Sequence, residues 1–269
     1  MDMVALAEAA ESQLMLGLNE IAAPVRDRMG IAVRQVGGGI VSSVSKDASG
    51  FWCKAQGFGI SEPLTEKVIA EAIDFYRSEG TARSNFHLPD QVLPLDWPEI
   101  AAAYGLTRSE VLVKTLRDDR PVALAPTTLR VGPVGDADMA AWAAVQIEAF
   151  EFDDPDGRMA QMLASVNDID ALTAYGAWDG DLLVATGALF VDGEAGELVS
   201  GATRPKYRGR GAQSALLARR VRDGLAAGCR WLLSETGKPA PGERNPSLDN
   251  LRRAGFEVIY DRPIWTWKA

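Results

Sequence analysis

The sequence has little of the chemistry from which metal and redox sites are made. In 269 residues it holds two cysteines, Cys53 and Cys229, and one histidine, His87. Two thiols cannot supply a four-thiolate zinc site, and one imidazole cannot supply a multi-histidine zinc or iron site. A Ser-His-Asp triad would have to use His87, and no nucleophile motif stands near it. Neither G-x-S-x-G nor G-x-x-x-x-G-K-[ST] occurs. The chemistry expected is therefore free of metal and independent of histidine. Long apolar runs are missing too. The stretch from Met139 to Val145 falls far short of the roughly 20 residues a membrane span needs, so no membrane partner is expected. The first residues carry Asp2, Glu8 and Glu11 and no basic segment, which does not read as a secretory signal. With two cysteines and no signal, the expected compartment is the cytoplasm. Basic side chains are outnumbered 28 to 37, a net charge of −9, which disfavours nucleic-acid partners.

What is present is enough for a sizeable core: 47% of residues are apolar and 24% charged. The length suggests two domains. The chain also echoes itself. In residues 61–80, Val68, Ile69, Ala72, Ile73 and Tyr76 recur at helical spacing, Pro63 suits a first turn, and Gly80 is a natural stop. A short β-like run at residues 85–88, a helix near 96–104 closed by Gly105, and a β-rich run at 110–116 follow. Residues 213–228 repeat the order. Leu216, Leu217, Val221 and Leu225 line one face before Gly228, then come a strand at 231–234, a helix at 247–254 closed by Gly255, and strands at 256–260 and 264–267. The closing glycines are 25 residues apart in the first half and 27 in the second. A boundary falls near residues 123–129, giving domains 1–125 and 126–269.

The second half opens with a strand, a turn with Asp136 as candidate N-cap, and a helix. Residues 175–180, 182–193 and 196–205 are separated by Gly/Asp turns and read as an antiparallel meander. The fold class is α+β with a mixed sheet rather than a repeated βαβ.

The stretch that carries chemistry is Pro205-Lys-Tyr-Arg-Gly-Arg-Gly-Ala-Gln-Ser214, between a strand and an amphipathic helix. Gly209 and Gly211 let the backbone approach a ligand or adopt positive φ. The helix start offers open N–H groups and a positive dipole end, a setting for phosphate or pyrophosphate. Arg208 and Arg210 add charge-assisted donors. A dinucleotide fingerprint is a rival: Gly209-x-Gly211-x-x-Ser214 is one residue from G-x-G-x-x-G, with Glu235 at about the distance of a ribose-binding acid. Against it stand Ser214 in the third glycine position, the motif's late place in the chain, and the meander that precedes it.

This stretch resembles the acyl-CoA loop of the GNAT N-acetyltransferases, [QR]-x-x-G-x-[GA] after a β-strand. Arg208 and Gly211 match the first and fourth positions, and the sixth is Gln213. Downstream, a looser GNAT pattern, N-x-x-A-x-x-x-Y-x-x-x-G-F, anchors on Gly255-Phe256. Ser247 fits its small position, Leu251 stands where Tyr is usual, Arg244 falls on the Asn position, and Asn245 comes one residue late. The resemblance spans roughly residues 128–269.

The resemblance implies two GNAT-like domains, each a mixed, largely antiparallel sheet flanked by helices, with one working acetyl-CoA site in the second. The fourth and fifth strands would splay around the pantetheine arm. Main-chain groups near Ala202 and Thr203 would hold the arm. Amides from Arg208 through Gly209, Arg210, Gly211, Ala212 and Gln213 to Ser214 would hold the pyrophosphate. Asn245 and Asn250 would hydrogen-bond the cofactor, with an N-cap role open for Asn245. Glu197 is the first candidate base for deprotonating an attacking amine and Glu235 the second, each with a solvated strand-end carboxylate as the alternative. Acetyl-CoA would enter as acyl donor, with no metal, and a small-molecule or peptide amine would accept the acetyl group. The acidic segment Glu151, Asp153, Asp154 and Asp156 would attract a cationic amine or would simply be a solvated turn. The first half reads as a degenerate copy. Its loop Gly57-Phe-Gly-Ile-Ser-Glu-Pro63 has no arginine, and Glu62 would repel a pyrophosphate. His87 and Cys53 read as core residues, and Trp231, Trp265 and Trp267 as sheet core. The rival functions are a noncatalytic CoA-binding module and a nicotinamide-dependent oxidoreductase. Monomer and homodimer both remain open.

Overall fold

The computed structural model describes every residue except Met1 and Leu124; Leu124 belongs to the expected boundary segment and lies outside the described residues. The chain runs α1 (Met3–Leu16), α2 (Ala23–Met29), β1 (Ile31–Val36), β2 (Gly39–Val44), β3 (Lys54–Gln56), α3 (Glu66–Ser78), β4 (Arg83–His87), α4 (Trp97–Ala103) and β5 (Thr107–Arg117). It continues with β6 (Arg130–Pro133), α5 (Met139–Phe150), α6 (Arg158–Ala164), β7 (Leu172–Asp179), β8 (Leu182–Asp192), β9 (Ala195–Thr203), α7 (Ala212–Ala226), β10 (Trp231–Gly237), α8 (Pro246–Arg253) and β11 (Glu257–Lys268). No helix among the described residues is long and apolar enough to cross a membrane.

Two compact units form, with boundaries that differ from 125/126. The first comprises Met1–Asn19, Arg26–Lys114 and Ile259–Ala269; the second comprises Glu20–Val25 and Thr115–Val258. The last segment joins the first unit because β11 pairs antiparallel with β4, Ile264 opposite His87 and Lys268 opposite Arg83. Pairing partners distant in sequence are invisible to a periodicity reading, which also broke β11 at Asp261–Pro263.

In the first unit the strands lie in the order β1-β2-β3-β4-β11-β5. The hairpin of β1 and β2 turns through Gly37 and Gly38, both at positive φ (48° and 73°), as a two-residue turn requires. The helix expected from residue 63 begins later. Thr65 caps α3 by accepting the Val68 amide, and Pro63 lies outside the helix. The periodic residues Val68, Ile69, Ala72, Ile73 and Tyr76 are buried, as are His87 and Cys53. Trp267 is buried, whereas Trp265 and Trp231 are only half-buried.

In the second unit the order is β10-β9-β8-β7-β6, with β7–β8–β9 the expected meander. Its core gathers Leu189, Leu198, Leu216, Val221, Leu232, Leu251 and Phe256 between the sheet and the helices. Asp136 does not cap α5: it opens a 3-10 turn, and Asp138 precedes the helix. Each unit holds a parallel pair just where a glycine loop leads into a helix, β3 with β4 and β9 with β10. The glycines of the echo, Gly80, Gly105, Gly228 and Gly255, all adopt positive φ after their helices.

Candidate functional site

The site grows from the way two parallel strands separate. β9 and β10 pair at only three positions, Trp231 with Ala195, Leu232 with Gly196 and Leu233 with Glu197. Beyond Glu197 and Leu233 the strands run on, to Thr203 and Gly237, without pairing to each other. Main-chain polar groups along this fork are thereby left for a ligand or water. Ser234 sits in the crotch and donates its hydroxyl to the Leu198 carbonyl at 2.8 Å.

A β-bulge bends β9 away. Thr186 pairs with Ala202 and Ala188 with Val199, so Gly187 on β8 faces two residues, Ser200 and Gly201. Ser200 takes a left-handed φ of 56°, costly for a residue with a Cβ. Gln146 of α5 holds it there, its amide nitrogen donating to the Ser200 carbonyl at 2.7 Å and to the Thr186 hydroxyl at 2.5 Å. On the other side Arg220 of α7, wholly buried, donates to the carbonyls of Ala188 (3.1 Å), Val199 (3.0 Å) and Leu216 (3.2 Å). Burial pushes the Arg220 pKa down to about 10.

The loop after β9 ends at an uncapped helix. Gly209 and Gly211 have φ of 79° and 77°, and no side chain caps α7. The amides of Ala212, Gln213 and Ser214 have no carbonyl one turn back to receive them. A Cβ on Gly211 would lie 2.9 Å from the Pro126 carbonyl, so the residue is glycine for space as well as for φ. Thr127 pins the loop by donating to the Arg210 carbonyl at 3.1 Å. Positive-φ glycines opening onto uncapped amides fit a pyrophosphate.

The expected binding residues divide by what else they hold. Arg208 is exposed and has no ion pair among the described residues. Arg210 is forked onto Asp179 at 2.5 and 3.0 Å, so its charge is largely answered within the chain. Gln213 turns its amide inward, donating to the carbonyls of Ala202 (2.6 Å) and Thr186 (3.1 Å) and to the Thr203 hydroxyl (3.1 Å). It ties helix to strand, which explains why this sequence has Gln where the GNAT pattern has Gly or Ala. Asn245 caps α8, accepting from Ser247 (2.9 Å) and Leu248 (3.2 Å) and donating to Thr236 (3.1 Å) and Gly237 (2.7 Å). Both ends of its side chain are thus occupied, as the N-cap alternative requires. Asn250 accepts from Arg253. Leu251 is buried in the core, so α8 presents an apolar side chain where the family has its Tyr.

Glu197 is the last β9 residue paired with β10 and is 1% exposed, while Glu235 stands two residues past the last β10 pair and is half-buried. Both flank the fork. The acidic segment is mostly structural: Asp154 accepts the amides of Met159 and Ala160 at the start of α6, and Asp156 pairs with Arg158. In the first unit, the loop at Gly57 and Gly59 shares the positive φ. There, however, Phe58 is buried, Gln56 donates to the Glu11 carbonyl at 2.8 Å, and Thr65 caps α3 itself.

Ser234, Asp179, Gln146 and Arg220 escaped the sequence reading. Gly201 beside Ser200 within a strand was the available signal for the bulge. The others are contacts between distant elements and leave no local pattern.

A meander, a bulged fourth strand, a splayed parallel fifth strand and a glycine loop into an uncapped helix define the fold of the GNAT N-acetyltransferases. Solved structures bear out the assignment over nearly the whole chain. A GCN5-related N-acetyltransferase from Kribbella flavida is similar with a TM-score of 0.65 and 16% identity, covering 97% of this chain and 95% of that one. A tandem GNAT protein from the clavulanic acid biosynthesis pathway is similar with a TM-score of 0.62 and 17% identity, covering 98% and 93%. A GCN5-related N-acetyltransferase from Sphaerobacter thermophilus has a TM-score of 0.58 and 13% identity, covering 88% and 76%. No protein-family profile and no curated protein matches the sequence.

Proposed function

We propose that the protein is an acetyl-CoA-dependent N-acetyltransferase, with its site in the second unit, that moves an acetyl group directly to a primary amine. The observation that carries this reading is the divergence of β9 and β10 after Glu197 and Leu233, beside the uncapped start of α7. The open amides of residues 212–214 and Arg208 bind the pyrophosphate. The unpaired edge of β9 holds the pantetheine arm and brings the thioester to the fork. Glu197 or Glu235, directly or through water, takes the proton from the amine, whose nitrogen then attacks the thioester carbonyl. Positioning the two reactants supplies much of the acceleration. With Leu251 in place of an acid, the thiol departs as thiolate, which a pKa of about 8.5 allows near neutrality. Glu151 and Asp153, the two residues of the acidic segment not engaged in capping α6 or pairing with Arg158, attract a cationic acceptor.

The buried Leu251 favours a second reading, a CoA-binding module without catalysis. Calorimetric titration with acetyl-CoA, followed by thiol release over a panel of primary amines, separates the two. One saturable site per chain with amine-dependent release is expected. Binding without release over the whole panel would leave the module, and no binding at all would overturn both and make NADH the next ligand to try.

A further inference from the structure

A second cationic site lies in the second unit, apart from the loop at 208–214. The start of the segment after β5 and the end of α8 flank an open pocket of about 350 Å³. Four arginines line it: Arg117 and Arg120 from one side, Arg252 and Arg253 from the other. Their acidic neighbours are Asp118, which pairs with Arg120 at 2.7 Å, and Glu257 on the rim. Among the described residues no carboxylate lies in ion-pair distance of Arg117, Arg252 or Arg253, so the pocket carries an excess of positive charge.

Arg117 makes this more than a solvated basic surface. Its side chain is buried, and it donates through Nε to the Asp118 carbonyl (3.2 Å), through Nη1 to the Ala254 carbonyl (2.7 Å) and through Nη2 to the Arg120 carbonyl. The bond to Ala254 meets one carbonyl at the end of α8, and the three together fix the guanidinium plane. A guanidinium has five N–H donors, so two remain for a ligand. Burial lowers the Arg117 pKa, with the charge of Asp118 acting against it. The walls are apolar, with Pro121, Val122 and Ala123 on one side and Phe256 beneath Arg117, its ring 6.0 Å from the guanidinium carbon.

We propose that this pocket binds a phosphate-bearing small molecule, the arginines taking the phosphate and the apolar walls its body. Guanidinium forks match phosphate oxygens in pairs, and a fixed, buried arginine beside exposed ones gives such a site its geometry. None of its lining residues belongs to the proposed acetyl-CoA loop at 208–214.

The test is calorimetric titration of inorganic pyrophosphate into the wild type, the double variant Arg252→Gln/Arg253→Gln, and Arg208→Ala. Both α8 arginines are exposed and glutamine is a good helix former, so the double variant keeps the fold. Wild type is expected to bind pyrophosphate in a step that the double variant weakens by about tenfold or more and that Arg208→Ala leaves in place. The inference is overturned if wild type takes up no pyrophosphate, if the double variant binds as wild type does, or if Arg208→Ala alone abolishes binding.

Discussion

Arg220 rests on Gly187: a Cβ at residue 187 would lie 2.6 Å from the Arg220 guanidinium carbon. The absence of that carbon lets a long cation lie flat on the sheet and bond the carbonyls of Ala188 and Val199. These are the residues paired just before the register shifts at the bulge. The bulge and the helix behind the glycine loop are therefore held by one buried side chain.

Gly187→Ala is expected to destabilise the second unit by about 1–3 kcal/mol, the usual cost of overpacking a filled interior. At about 2–4 °C per kcal/mol for a chain of this size, calorimetric melting resolves it. An unchanged melting temperature would show that Arg220 can leave its seat without cost.

The loop arginines are expected to differ although they stand two residues apart. Arg208→Ala should weaken acetyl-CoA binding about tenfold, the worth of one charge-assisted contact. Arg210→Ala should weaken it less, because Arg210 already binds Asp179. Asp179→Ala should tighten binding by releasing Arg210. Titration calorimetry on the three variants checks the order.

The two carboxylates at the fork separate kinetically. If Glu197 is the base, Glu197→Gln lowers kcat with little change in KM and removes the acidic limb of the pH–rate profile, while Glu235→Gln leaves that limb in place. The reverse pattern moves the role to Glu235. Loss of neither limb would leave amine deprotonation to solvent.

Buried His87 makes the first unit sensitive to mild acid. Burial, reinforced by the charges of Arg262 and Lys54, holds its pKa well below the ordinary 6.5. Below that pH the unfolded chain takes up a proton that the folded chain refuses, so stability falls as pH drops, by up to about 1.4 kcal/mol per pH unit. Glu11 acts in a lower window. Burial alone would raise its pKa, but the charges of Arg262 and Lys114 outweigh it and hold the group well below 4.5, so its contribution is lost only under more acidic conditions. Thermal melts from pH 7.5 to 5.0 should show a decline that His87→Gln flattens.

Asn245→Ala removes the α8 cap and both donations to the end of β10. A loss of about 1 kcal/mol is expected from the cap alone. Asn245→Asp keeps the accepting oxygen and should recover that part in thermal melts, which distinguishes capping from the bonds to Thr236 and Gly237.

Local rules wrote much of this protein into its sequence. The spacing of Val68 to Tyr76 and of Leu216 to Val221, the turn glycines, and the strand–loop–helix around Arg208 each follow from interactions within a few residues, and α3, α7, α8 and the meander stand close to where that spacing puts them. The N-cap alternative for Asn245 was legible for the same reason, since a cap is local. What only the tertiary structure decided are relations between distant segments: β11 crossing into the first unit, Asp179 answering Arg210, Gln213 turning inward to Ala202, and Arg220 seated on Gly187. The splay itself is of this kind. It arises because pairing stops after Glu197 and a bulge bends β9, and whether a strand finds a partner depends on chain that folds beside it rather than on its own residues.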